Sequence, residues 1–131
     1  MIKQSFYIDK YDWQVVVLYE TSNDDKDYII SSLKRSGASA NVIDVAYDNI
    51  SANNLNTGFT YSDLNKHRTI IVISKTTSKS ELINTIVHEA NHLQSHIATE
   101  FNLDEKGEEV CYLIGGIVKS MFRVFSKIIC H

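Results

Sequence analysis

A small α+β domain is the fold this chain predicts, and three observations lead to it. Runs rich in β-branched and aromatic residues fill the first twenty positions and recur at Gly58–Ser62 and Arg68–Ser74. From Ser78 onward the apolar period changes to three and four residues, the spacing of helices. The 131 residues contain no proline, repeat or low-complexity stretch that would mark a linker. The expectation is one domain over 1–131, with a short mixed or antiparallel sheet packed on a long helix and on a C-terminal helix.

Taken in order, Gln4 to Ile8 alternates as a strand does, and Trp13 to Tyr19 (WQVVVLY) is stronger strand material. Thr21-Ser-Asn-Asp-Asp supplies helix N-cap chemistry, which predicts a helix from about Asp25 to Arg35 ended by Gly37. Ala38 to Val45 reads as a further strand, and the Asn- and Ser-rich Asp48 to Asn56 as a loop. Of the next two strands, the apolar Arg68–Ser74 has the composition of a central one.

Ser78-Lys-Ser-Glu81 is a capping box, followed by Leu82, Ile86, Ala90, Leu93, Ile97 and Phe101 as one apolar stripe. Asn102-Leu-Asp104 breaks this helix. Asp104 is then placed to cap a last helix from Glu105 to about Phe125.

The long helix carries His88-Glu89-Ala90-Asn91-His92, an H-E-x-x-H. Histidines four apart lie on one helical face, where both imidazoles reach a single Zn²⁺. The glutamate beside the first is placed to polarise a water on that metal. With five His and seven Glu in the chain, roughly 0.01 such matches arise by chance. That weighs against a surface helix carrying two unrelated histidines. At about 100° per residue both histidines fall nearly opposite the apolar stripe, with Glu89 on its flank.

A catalytic zinc site takes three protein ligands, and the downstream candidates are His96, Glu100, Glu105, Glu108, Glu109 and His131. His96 lies about 12 Å along the helix from His88, too far to share its metal, and reads as a helix-surface residue or one that supports the ligands. A C-terminal helix folding back over a short connection is the better source. Glu108 shares a face with Cys111, Tyr112 and Gly115, whose small members would permit close helix approach; Glu109 is the alternative. Whichever glutamate is not a ligand is a solvated residue favoured by the helix dipole. Tyr61, His67 and Tyr112 are candidates for donating to the oxyanion of a tetrahedral intermediate, though each is more often a packed or surface residue.

Net charge is −3 without a basic block, so the footprint of a nucleic-acid binder is missing. No run approaches a membrane span and none resembles a signal peptide. Cys111 and Cys130 form neither a disulfide framework nor a C-x-x-C site, which fits reduced thiols in the cytoplasm.

Thr85-Ile-Val-His-Glu-Ala-Asn-His-Leu93, a short break, and Gly107-Glu-Glu-Val-Cys-Tyr-Leu-Ile-Gly115 resemble small phage- and prophage-encoded zinc peptidases of gut bacteria, which look like minimal gluzincins. Residues 58–122 carry the resemblance well and the first half only loosely. It implies a zincin-like domain, Zn²⁺ held by His88, His92 and Glu108, and a peptide or protein substrate hydrolysed by an activated water with Glu89 as general base. Glu108 is implied because the family's glutamate lies four residues before the Tyr-Leu pair. Two other functions fit the same residues: a zinc-stabilised phage or regulatory protein that binds a partner without turnover, and a hydrolase of non-peptide bonds. The intact Glu89 favours catalysis over a purely structural site.

Overall fold

The computed structural model describes residues 1–129, so Cys130 and the candidate ligand His131 lie outside the described residues. Four strands form one mixed sheet: β1 (Ile2–Ile8), β2 (Trp13–Thr21), β3 (Gly58–Asp63) and β4 (Arg68–Ser74), in the order β1-β2-β4-β3. β1 runs antiparallel to β2, β2 parallel to β4, and β3 antiparallel to β4. β4 is therefore central, as its composition predicted, and β3 is an edge.

Helices cover both faces. α1 (Lys26–Arg35) and α2 (Ala40–Ser51) lie on one side, α3 (Lys79–Phe101) and α4 (Glu108–Ile129) on the other. Strand alternation sorts the two cores. Trp13, Val15, Val17 and Tyr19 of β2 join Ile71 and Ile73 of β4 beneath the α3 stripe and the α4 residues Leu113, Ile117, Met121 and Phe125. Leu18, Ile70 and Val72 point the other way, onto Ile29, Leu33 and Ala46. β3 obeys the same rule: Phe59 and Tyr61 pack with the α1/α2 core.

Several boundaries follow their local chemistry. Gly37, at φ 85°, takes the left-handed position after α1, and the Ala38 amide closes the cap on the Leu33 carbonyl. Asn102 does the same for α3 at φ 53°. The Ser78 hydroxyl accepts from the Glu81 amide at 3.2 Å, the first half of the expected capping box.

Two expectations fail. Ala38 to Val45 is not a strand: Ser39 caps α2 by accepting from the Val42 amide, and the helix continues to Ser51 through part of the expected loop. A run that is apolar at Val42, Ile43 and Ala46 fits either period over so short a length, and the cap decides it. The last helix begins at Glu108 rather than Glu105, because the Asp104 side chain accepts from the Lys106 amide and its carbonyl from Gly107, which makes a turn. It also extends past Phe125 to Ile129.

Candidate metal centre

α3 buries Leu82, Ile86, Ala90, Leu93 and Ile97 and leaves His88 and His92 exposed, as the helical phase requires. Their Nε2 atoms stand 3.2 Å apart. Two nitrogens each 2.0–2.1 Å from a tetrahedral zinc would be separated by about 3.3 Å. The pair thus offers two borderline-soft donors at the spacing of two corners of a zinc tetrahedron, and in donor type and separation it fits that ion.

Glu89 belongs to a different environment. Only 3% exposed, it lies in the seam between α3 and the edge strand β3. The Thr60 hydroxyl donates to its Oε1 at 2.8 Å. Gly58 makes the approach possible: a Cβ there would sit 3.2 Å from both Cγ and Oε2 of Glu89 and 2.7 Å from the Val72 carbonyl oxygen. Oε2 has no hydrogen-bond partner among the described residues, yet it is not a buried orphan, since only Gln94 Oε1 has that status. One carboxylate oxygen is therefore anchored and the other is open.

His96 occupies the same seam, half-buried, with Nδ1 2.6 Å from the Ser62 hydroxyl. Burial, then the neighbouring His92, holds its pKa below the ordinary histidine value. Thr60 and Ser62 alternate with the outward-packed Phe59 and Tyr61, so one face of β3 contacts α3 at Glu89 and again at His96.

The structure does not bring a third donor to the histidine pair: among the described residues, no three His, Cys, Asp or Glu side chains are grouped to hold a metal. Glu108 is exposed on the first turn of α4. The phase argument that favoured it fails. Cys111, Tyr112 and Gly115 face solvent with it, and a Cβ on Gly115 would meet nothing within 4 Å. The face that packs inward is Val110, Leu113, Ile117 and Met121, one position round from the small-residue stripe. Glu109 bonds the Tyr11 hydroxyl and pairs with Lys10 at 2.8 Å. Tyr11 in turn packs on Phe101, their centroids 5.1 Å apart. The start of α4 therefore lies beside the end of α3, about 13 Å of helix beyond His92. Glu100 and Glu105 are likewise exposed, the latter accepting from Ser95 at 3.0 Å.

The three residues considered as oxyanion donors lie elsewhere. Tyr61 packs in the α1/α2 core, His67 stacks on Trp13 at 4.9 Å, and Tyr112 is 76% exposed on the outer face of α4. No protein-family description matches this chain, and neither the curated proteins nor the solved structures contain a match to it. Among the described residues no helix is long and apolar enough to cross a membrane.

Proposed function

We propose that this protein is a zinc-dependent peptidase in which Glu89 is the general base. The observation that carries the reading is the pairing of two convergent imidazole nitrogens with a buried, half-anchored carboxylate one residue away. His88 and His92 are the histidine ligands; Glu108, the third ligand that the family resemblance implies, stands exposed at the start of α4 and would reach them only if that helix start moved. Bound there, zinc supplies Lewis acidity toward a water and a carbonyl oxygen.

The protein's own groups supply the rest. Thr60 holds Oε1 of Glu89, which leaves Oε2 to take a proton from the attacking water and return it to the leaving amine. β3, an edge with one side unpaired, presents backbone groups to which an extended peptide adds as a strand. Its position against Glu89 aligns such a peptide with the base.

The test combines zinc analysis of the purified protein with digestion of a mixed peptide library, wild type against Glu89→Gln. About one zinc per chain is expected in both, with cleavage falling about 10²–10⁴-fold in the variant. Zinc binding without cleavage by the wild type would favour the partner-binding alternative. Equal cleavage by both proteins would overturn the role of Glu89.

A further inference from the structure

Four side chains form a hydrogen-bonded relay from the core to the seam. Trp13 Nε1 donates to Thr69 Oγ1 at 2.8 Å, Thr69 Oγ1 is 2.7 Å from Ser62 Oγ, and Ser62 Oγ is 2.6 Å from His96 Nδ1. Only the first link has its direction set by chemistry, because an indole nitrogen donates and never accepts. That link sets the direction of the second. Thr69 is 2% exposed, and Ser62 is its one other side-chain partner among the described residues. With an oxygen already accepting from Trp13, its proton must go to Ser62 or be buried without an acceptor, which is costly. Ser62 has no acceptor among the described residues other than His96 Nδ1, and its proton is directed there.

A neutral imidazole that accepts at Nδ1 carries its proton on Nε2. This Nε2 makes no hydrogen bond among the described residues and is not a buried orphan, so it is open to solvent. It lies one helical turn beyond His92, on the seam where the same face of β3 touches Glu89.

The geometry points to His96, held as its Nε2–H tautomer by the Trp13–Thr69–Ser62 relay, as the hydrogen-bond donor to the scissile carbonyl oxygen of a peptide lying along β3. This rests on the peptidase reading. The donor acts as that oxygen gains negative charge, where a fixed N–H in a partly dry seam stabilises the transition state more than the ground state. His96 fills the place that Tyr61, His67 and Tyr112 leave vacant. Orientation is the relay's contribution: Ser62 and Thr69 act through His96 and touch no substrate.

Two measurements test the inference. Long-range proton–nitrogen correlation on zinc-free protein with ¹⁵N-labelled histidine reads the tautomer directly. Protonated Nε2 and bare Nδ1 are expected at His96, and Ser62→Ala should turn this into a mixture. A proton found on Nδ1 in the wild type would overturn the relay and leave the peptidase reading untouched. The second measurement uses the library peptide that the wild type cleaves best. His96→Phe, which has a ring but no donor, should lower kcat by about 10²–10³-fold with KM and zinc content unchanged, and His96→Gln should recover part of the loss. Full activity in His96→Phe, or loss of its zinc, would overturn the donor role. A zinc-loaded wild type that cuts nothing would overturn that role together with the peptidase reading, while the tautomer would still be measured.

Discussion

The Thr60 hydroxyl donates to Oε1 of Glu89 across 2.8 Å, which ties the buried carboxylate of the long helix to the edge strand of the sheet. A carboxylate so enclosed needs a donor, since burying it without one is costly. Thr60→Val keeps the β-branched shape and removes the donor. It should lower unfolding free energy by about 1–3 kcal/mol, read as a shift in urea midpoint at constant slope. Stability equal to wild type would mean that Glu89 relies on other partners.

At Gly58 the strand has no room for a side chain against the helix. In Gly58→Ala the new methyl meets the Val72 carbonyl oxygen at 2.7 Å, and that oxygen belongs to the adjoining strand. Relief requires β3 to shift or Glu89 to move, and we expect a cost of about 1–3 kcal/mol despite alanine's lower chain entropy. An alanine variant as stable as wild type would show that the seam has slack.

Metal binding separates the histidines. His92→Ala should abolish zinc uptake in an equilibrium dialysis experiment, because it removes one of the two paired imidazole nitrogens. His96→Ala should bind zinc nearly as wild type does, since His96 lies about 12 Å along the helix from His88. Equal loss in both variants would make His96 a ligand.

The two glutamates at the start of α4 should differ in kind. Glu108→Ala should weaken zinc binding if the resemblance assigns the third ligand correctly. Glu109→Ala should leave zinc affinity unchanged and loosen the contact with Lys10 and Tyr11 instead. Calorimetric zinc titration of both variants decides this, and a larger loss in Glu109→Ala would reverse the assignment.

The same contact predicts a pH dependence in zinc-free protein. Hydrogen bonds from Lys10 and Tyr11 hold the Glu109 carboxyl below the ordinary carboxylate range. A depressed folded pKa means that the unfolded chain binds more protons, so this stabilisation is present above the unfolded value and lost as pH falls through the folded one. Tyr11 has the opposite sign. Burial, then the bond to Glu109, pushes its phenol up to about 12, so its contribution holds below the ordinary tyrosine value and disappears as pH rises through about 12. Glu109→Gln should flatten the acid limb of a melting-temperature profile and Tyr11→Phe the alkaline limb. An acid limb unchanged in Glu109→Gln would contradict the first effect.

Much of the fold was legible because local patterns were unambiguous. Ile70 to Ile73 are apolar at successive positions, which marks a strand covered on both faces, and Arg68–Ser74 is the central strand β4. The α3 stripe runs long enough for its period to exclude a strand. Ala38 to Val45 has strand-like composition yet lies mostly in α2, because eight residues carry too little periodicity and the cap at Ser39 outweighs the β-branched residues after it. α4 is legible as a helix, but its inward face is not. It has apolar or small residues over most of its circumference, so sequence did not show that Val110, Leu113, Ile117 and Met121 face inward while Gly115 faces solvent.

The sequence by itself determined the parts of the site that lie on one helix. Spacing along an α-helix is rigid, so the four-residue step from His88 to His92 suffices to bring their nitrogens together, and the apolar stripe opposite directs both outward. Everything that depends on a second element was decided by tertiary packing. Which strand is the edge, that Thr60 and Ser62 reach Glu89 and His96, and that Glu109 turns to Tyr11 all follow from strand order and helix offset. The physical reason is range: a helical period carries information over two or three turns, whereas the seam joins residues about thirty positions apart in the chain, whose meeting depends on how two cores close on one sheet.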